Sequence, residues 1–241
     1  MQKTLLIISI AFVIVTGCKK NKTSPNNEPA HRVKTYTPNG GTVNNYEYDS
    51  EGRIAKVTEG SWRWEYVYTN NLATENVYQN GMLVTTNHHE LNSQGLNIKT
   101  TLITPPSSMY FTYTYNSSKM LTKEEIHDGS DITKVDYYYS SKRLDSARTF
   151  SNGILAQRAL YEYSDTNNTI GNQHFGFQFQ GYSSPKAKRK LIYYFYDAAG
   201  TLLNVQTNNY SYELDAQGRI TREMMNSTPA GIARDISYTY Y

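Results

Sequence analysis

Cysteine is nearly absent from this chain of 241 residues, which carries a single thiol at Cys18. One cysteine allows no internal disulfide and no cysteine cluster for a metal. Long apolar runs are missing too, because the run from Leu5 to Val15 covers only 11 residues and is too short to cross a bilayer as a helix. The net charge is only +3, and so small a charge argues against the basic surface that binds nucleic acid.

Large apolar side chains are also scarce in the part of the chain that follows residue 17. Val, Ile, Leu and Phe together supply 38 of those 224 residues, a poverty that would indicate disorder if the net charge were high. The chain compensates with 23 tyrosines, whose rings bury apolar area while the hydroxyl stays hydrated or paired. Tyrosine is therefore the expected core residue of a single folded domain.

The first residues have the layout of an export signal. Lys3 precedes the short apolar run, and the tetrad Val15-Thr-Gly-Cys18 follows it directly. This tetrad resembles the lipobox of bacterial lipoproteins, in which the cysteine carries the lipid. The alternative is an ordinary cleaved signal with an incidental cysteine. We expect a signal peptide over residues 1–17, a lipidated flexible tether over 18–30 and a β domain over 31–241.

Lipidation would place the protein in the cell envelope. The expected location is the bacterial outer membrane, with the lipid on Cys18 as the membrane contact. Lysines rather than acidic residues follow Cys18, which favours the periplasm-facing side over the cell surface. The cell surface is the alternative.

A tyrosine-aspartate phrase recurs along the rest of the chain at a mean spacing of about 24 residues, as expected for one hairpin per repeat. Its complete copies are Tyr46-Glu-Tyr-Asp-Ser-Glu-Gly-Arg-Ile54 and Tyr212-Glu-Leu-Asp-Ala-Gln-Gly-Arg-Ile220. Alternating aromatic residues indicate a strand, and the Asp and Gly that follow indicate a turn. The opposite hairpin ends are predicted at Asn80-Gly81, Asp128-Gly129, Asn152-Gly153 and Asn208-Asn209.

These hairpins predict an all-β fold, an antiparallel up-and-down meander of roughly 16 to 18 strands. Period-two alternation makes one face of each strand aromatic, as in the stretch from Ser61 to Tyr68. An open sheet of that size would leave its aromatic face wet and two edges unpaired. We therefore expect a closed, porin-like barrel, with an open rolled sheet as the alternative.

The repeated phrase also carries a family resemblance. Tyr-Asp-x-x-Gly-Arg-Ile is similar to the YD repeat of bacterial Rhs-type proteins. Together with the lipobox-like tetrad it resembles a Bacteroidota lipoprotein family of unknown function with a porin-like fold. The resemblance covers most of residues 46–240 and implies a porin-like or rolled β-sheet on a lipid-anchored exported protein. That family has no catalytic residues to carry over, so the resemblance implies no activity.

Candidate catalytic and metal-binding residues are few. His88 and Glu90 share one strand face but lack identifiable further ligands, and His127-Asp128 precedes a turn glycine. We find no nucleophile elbow, phosphate loop or paired catalytic carboxylates. The expectation is a protein that is not an enzyme and that uses no cofactor and no metal.

Two aromatic stretches are candidate binding sites. In the first, Trp62, Trp64, Tyr66 and Tyr68 share one strand face and could stack on sugar rings. In the second, Phe175, Phe177 and Phe179 precede the cations Lys186, Lys188, Arg189 and Lys190. This stretch is either a loop that meets a glycan, an anionic headgroup or a protein, or an additional hairpin with inward phenylalanines and lysines that guard against aggregation.

Two hypotheses for function follow. The preferred one is a non-enzymatic, lipid-anchored binding or structural module of the cell envelope, with a glycan or an envelope protein as partner. The alternative is an integral outer-membrane barrel with a pore, suggested by the aromatic strand from Ile236 to Tyr241. Thr, Glu, Arg and Lys at alternate strand positions favour the first.

Overall fold

The computed structural model describes residues 32–38, 40–104 and 108–241. The predicted signal peptide, the lipid site at Cys18 and the tether lie outside the described residues. No helix in the described part of the chain is long and apolar enough to cross a membrane.

Sixteen strands form one closed antiparallel barrel in which each strand pairs with its neighbours in sequence and the last pairs with the first. The predicted all-β meander and its closure are therefore confirmed, and the open sheet is wrong. The strands are β1 (Val33–Pro38), β2 (Asn44–Tyr48), β3 (Ile54–Glu59), β4 (Trp62–Thr69), β5 (Leu72–Gln79), β6 (Met82–Leu91), β7 (Asn97–Thr104), β8 (Tyr110–Tyr115), β9 (Leu121–Asp128), β10 (Asp131–Ser140), β11 (Arg143–Ser151), β12 (Ile154–Asn167), β13 (Lys186–Tyr196), β14 (Leu202–Leu214), β15 (Ile220–Thr228) and β16 (Ala233–Tyr240).

The repeated Asp phrase forms the same turn at several places. Asp49 accepts hydrogen bonds at Oδ1 from the backbone N–H groups of Glu51 and Arg53, and Gly52 takes a positive φ of 74°. In a tight turn such backbone N–H groups have no backbone acceptor nearby, and the side-chain oxygen accepts their hydrogen bonds instead. The same two side-chain to backbone bonds recur at Asn92, Asn116, Asp197 and Asp215.

Four of these turns lie at the barrel end where β1 begins and β16 ends, which we call the near end. The turn at Asp197 lies at the opposite, far end, because residues 168–185 already form the near-end connection between β12 and β13. Asn208-Asn209, predicted as a turn, instead lies inside β14, where Asn208 pairs with Leu191 and Ser227. The long connection of residues 168–185 interrupts the repeat, so that the turns after it fall one strand away from where the repeat predicts them.

The strand register places the aromatic face inside the barrel. Tyr46 pairs with Val57, and Tyr68 pairs with Ala73, whose exposures are 6% and 0%. Burial alternates along the wall because successive side chains point to opposite faces of a strand. The buried apolar residues form three clusters on this inner face, and two of them include contacts from residues 168–185.

The outer face of the wall carries charges along much of its height. Neighbouring charges of opposite sign pair there, and these pairs are partly exposed. The outer pairs include Lys56–Glu47, Lys123–Glu125, Lys134–Asp136, Arg189–Glu162 and Arg222–Glu213. An outer face with such charges is compatible with contact with water, because pairs of exposed charges are readily hydrated.

Candidate binding lumen

Residues 168–185, the crossing segment, leave the wall between β12 and β13 and reach the opposite wall. Phe179 packs against Tyr68 of β4 at 6.1 Å between ring centroids, and Phe175 packs against Tyr46 of β2 at 5.0 Å. Strand β4 lies eight strands from β12, which is half of the circumference. The segment therefore crosses the lumen, and it contains one 3-10 turn, Gln178–Gln180, rather than an additional hairpin.

Backbone hydrogen bonds fix the crossing segment to the near end. The N–H groups of Val33 and Ile54 donate to the carbonyl oxygens of His174 and Gly176, each at 3.0 Å. At Gly176, which has a φ of +75°, an added Cβ would lie 2.5 Å from the backbone nitrogen of Ile54. Only glycine allows so close an approach with this backbone conformation. The segment is thus a fixed part of the near end.

The first predicted aromatic site lies on the inner wall. Tyr66 and Tyr68 contact the crossing segment through Phe179, while Trp62 and Trp64 stack on each other with ring centroids 6.0 Å apart. Since β4 begins at Trp62, the tryptophan pair lies towards the far end. All four rings are half-buried, and Trp64 packs against the same buried cluster as Tyr66 and Tyr68.

The second predicted site is divided by the wall. Phe175, Phe177 and Phe179 pack inside the barrel, whereas the four cations lie on β13. The four side chains lie in different places. Lys186 donates hydrogen bonds to the carbonyl oxygen of Asp165 and to Asn167, and Lys188 points into the lumen. Arg189 and Lys190 lie near Glu162 on the outside. The phenylalanines and cations do not form one surface.

A basic cavity of about 420 Å³ lies above the crossing segment between β10 and β16. Tyrosines line it, including Tyr161 and Tyr212, together with Lys188, Glu223 and Arg234. Burial raises the pKa of Glu223, although Lys188 and Arg234 oppose that shift. Burial lowers the pKa of Lys188, whose Nζ lies 4.8 Å from the ring centroid of Tyr210.

An acidic cavity of about 560 Å³ lies on the other side of the lumen, against β5 to β9. Two carboxylates, Glu75 and Glu124, line it, as do the rings of Phe111, Tyr113 and Tyr115. None of the described residues that line this cavity is Lys or Arg. The two cavities meet at Leu121, Asn172 and Gln180, which line both and of which the last two belong to the crossing segment. Both volumes fall in the range of small-molecule sites.

Polar side chains in the wall of the acidic cavity hold one another in place. Tyr66 donates its hydroxyl to Glu75, and Asn87 Nδ2 donates to the second Glu75 oxygen at 2.7 Å. Burial raises the pKa of Glu75, but His89 and these two donors outweigh it, so the pKa lies below its usual 4.5. His89 Nε2 is 3.6 Å from Glu75, too far for a hydrogen bond.

A second group of buried side chains adjoins the first. Asn97 Nδ2 donates to Thr100 Oγ1 at 2.8 Å, and His89 Nδ1 lies 2.9 Å from the same oxygen. Asn97, His89 and Thr100 are 3%, 7% and 6% exposed. The amide oxygens of Asn87 and Asn97 and the Nε2 nitrogen of His89 are buried without a hydrogen-bond partner. Buried polar atoms are normally paired, so these three atoms are exceptions in the wall of the cavity.

The sequence does not predict this cavity. The candidates His88 and Glu90 share one strand face, whereas the side chain inside the barrel is that of His89 between them. Within the described residues no group of three or more metal-ligating side chains could hold a metal. The missed signal was the presence of polar residues on the aromatic face of consecutive strands, such as Glu75 in β5 and Glu124 in β9.

Exposed aliphatic side chains encircle the far end of the barrel. They lie in, or at strand ends next to, seven of its hairpin connections. This far-end ring consists of Val43, Met82, Leu83, Val84, Ile103, Ile132, Ile154, Leu202, Leu203 and Ile232. Single exposed apolar residues are ordinary, but a set gathered at one end of a molecule marks a contact surface.

Two similar solved structures are porin-like proteins from Bacteroides species. A porin-like protein from Bacteroides uniformis matches with a TM-score of 0.61 and 16% identity, over 83% of this chain and 90% of that one. A porin-like protein from Bacteroides vulgatus matches with a TM-score of 0.52 and 14% identity, over 88% of this chain and 99% of that one. No protein-family model matches the chain, and no curated protein matches it. At these identities the likeness shows a porin-like barrel fold.

Proposed function

We propose that this chain is a lipid-anchored protein of the bacterial outer membrane whose barrel stands in water and binds a small ligand in its lumen without catalysing a reaction. The observation that carries the proposal is the distribution of polarity across the wall. Aromatic rings line the inside, and ion pairs such as Lys134–Asp136 lie on the outside. A membrane-spanning barrel has the reverse pattern, with an outward apolar band about 25 Å tall.

The lipid anchor and its orientation rest on the lipobox-like tetrad. The described chain begins at the near end, which the crossing segment covers. A polar tether of residues 18–30 has a root-mean-square span of about 20 Å. The near end would then face the anchoring membrane, on its periplasmic side, and the far end would face away. The Trp62–Trp64 stack towards the far end offers a sugar ring a flat surface.

Solution behaviour tests this proposal. Residues 31–241 should be monodisperse in water without detergent, with a β-type circular dichroism spectrum, and should carry no current across a planar bilayer. Recovery only in detergent, together with stepwise conductance, would refute it. A control that exchanges Lys134 and Asp136 keeps the charge count and should behave like the wild type, whereas Leu at both positions should lower solubility.

A membrane-embedded pore is the second candidate function. Its support is the far-end ring and the porin-like description of the two similar structures. The outer ion pairs argue against a wall that faces lipid, and the crossing segment argues against an open pore. Replacing residues 169–183 by a short Gly-Ser linker separates the two functions. A pore would gain conductance in bilayers, whereas a water-facing barrel would lose stability and still carry no current.

A further inference from the structure

The acidic cavity brings together two kinds of group that attract a cation. Its lining combines the carboxylates of Glu75 and Glu124 with the rings of Phe111, Tyr113 and Tyr115. Carboxylates attract a cation by charge, and the faces of aromatic rings attract it through their quadrupole. No Lys or Arg is among the described residues that line the cavity, so His89 is the only basic side chain in that lining.

The unpaired buried oxygens point to the same kind of ligand. Asn97, which is 3% exposed, has an amide oxygen without a donor, and so has Asn87. Each acceptor calls for a hydrogen-bond donor. An ammonium group carries up to three N–H donors and no acceptor, which matches a wall of carboxylate and amide oxygens.

The wall also holds its carboxylates in fixed positions. Glu75 accepts hydrogen bonds from Tyr66 and Asn87, and Glu124 accepts one from Tyr137 at 3.1 Å. Groups held in this way lose little conformational freedom when a ligand binds. A surface cluster of acidic residues would lack such support.

We propose that the acidic cavity binds a small organic ammonium compound, with its charge between the carboxylates of Glu75 and Glu124 and its carbon skeleton against Phe111, Tyr113 and Tyr115. This deepens the proposed function, because it names the ligand class of the lumen and rests on the lumen being a binding site. The basic cavity, which contains Lys188 and Arg234, repels the same compound.

Calorimetric titration of the purified full chain at low salt tests the inference with three probes that share a four-carbon skeleton. The first, 1,4-diaminobutane, is cationic, 1,4-butanediol is neutral and succinate is anionic. We expect the diamine to bind at least about tenfold more tightly than the diol, and succinate not to bind in this cavity. Glucose serves as the hydroxyl-rich alternative. Tighter binding of glucose or of the diol than of the diamine overturns the inference.

Three variants locate the binding. Glu75→Gln and Glu124→Gln keep the shape of the side chain and should each weaken diamine binding by about tenfold. Glu223→Gln, a matched change in the basic cavity, should leave it unchanged. Thermal unfolding and circular dichroism show that each variant is folded. Equal diamine affinity in the wild type and both acidic-cavity variants overturns the inference.

Added salt provides a further readout. Binding through charge should weaken as the ionic strength rises, although burial reduces the effect. Solubility in water is measured independently, so a water-soluble barrel that ignores the diamine overturns this inference alone. A barrel that requires detergent and conducts ions overturns the proposed function instead.

Discussion

Phe179 packs edge-on against Tyr68, with 6.1 Å between the ring centroids and 69° between the ring planes. The two residues come from opposite sides of the barrel, since Phe179 lies in the connection between β12 and β13 and Tyr68 lies in β4. Phe179 also contacts the ring of His89, with 5.2 Å between the ring centroids. A barrel of 16 strands leaves a wide lumen, and this contact shows how the chain fills one end of it.

Removing the ring of Phe179 should destabilise the barrel strongly. Phe179 is 4% exposed, and Phe179→Ala leaves a cavity that costs about 3 to 5 kcal/mol in the free energy of unfolding. Urea denaturation measures this loss in the free energy of unfolding. The control is Tyr138→Ala, because Tyr138 lies outside and is 43% exposed, and it should cost less than about 1 kcal/mol. Equal losses for both would mean that the crossing segment is not packed.

Two glycines with similar backbone angles should respond differently to alanine. Gly153 has a φ of +84° and nothing within 4 Å of an added Cβ. The cost of Gly153→Ala in the free energy of unfolding is therefore only that of the left-handed backbone conformation, about 1 kcal/mol. Gly176→Ala also meets the backbone nitrogen of Ile54 at 2.5 Å and should cost about 3 kcal/mol or more. Thermal unfolding compares them. If Gly176→Ala is no worse than Gly153→Ala, the crossing segment moves freely at this point.

The ionised Glu75 should contribute to acid sensitivity. Its pKa is lowered below 4.5 in the folded chain, so the unfolded chain binds more protons between the two pKa values. The stabilisation is therefore present above the ordinary pKa of 4.5 and is lost as the pH falls through the lower folded value. Glu75→Gln should flatten the stability curve in this window. An unchanged slope in urea titrations at successive pH values would remove Glu75 from the acid response.

Lipidation of Cys18 is tested directly by labelling. Cells that express the chain should incorporate radioactive palmitate into it, and Cys18→Ser should abolish both the label and partition into the detergent phase. A Thr16→Ser variant, which keeps the cysteine, is the control and should still be labelled. Detergent partition by Cys18→Ser would contradict the anchor and favour the pore.

Much of the barrel could be predicted because its signals are local. The turn at Asp49 depends on a side chain, a glycine and two N–H groups that lie within five positions. The alternation from Trp62 to Tyr68 follows from the pleat of a single strand. Closure follows from the need to pair both edges, and the closed barrel confirms this prediction over that of an open sheet.

The lumen could not be predicted in the same way, because its contacts join distant parts of the chain. Nothing near Phe179 in sequence indicates that it meets Tyr68 across the barrel, and period two alone suggested a hairpin. The same interruption displaced the turn expected at Asn208-Asn209. The acidic cavity collects Glu75, Asn97 and Glu124 from separate strands, and their common position follows only from the register.

The pairing of β1 with β16 has a consequence for how the barrel forms. Thr35 and Thr239, joined by a 2.8 Å contact between their hydroxyl oxygens, are 204 positions apart in the chain. Hairpins between adjacent strands can form as soon as both strands exist, whereas this seam has to wait for the final strand and a large loss of chain entropy. Until then two strand edges and the aromatic face are open to other chains. The interval before seam closure is therefore when this chain most needs protection from aggregation.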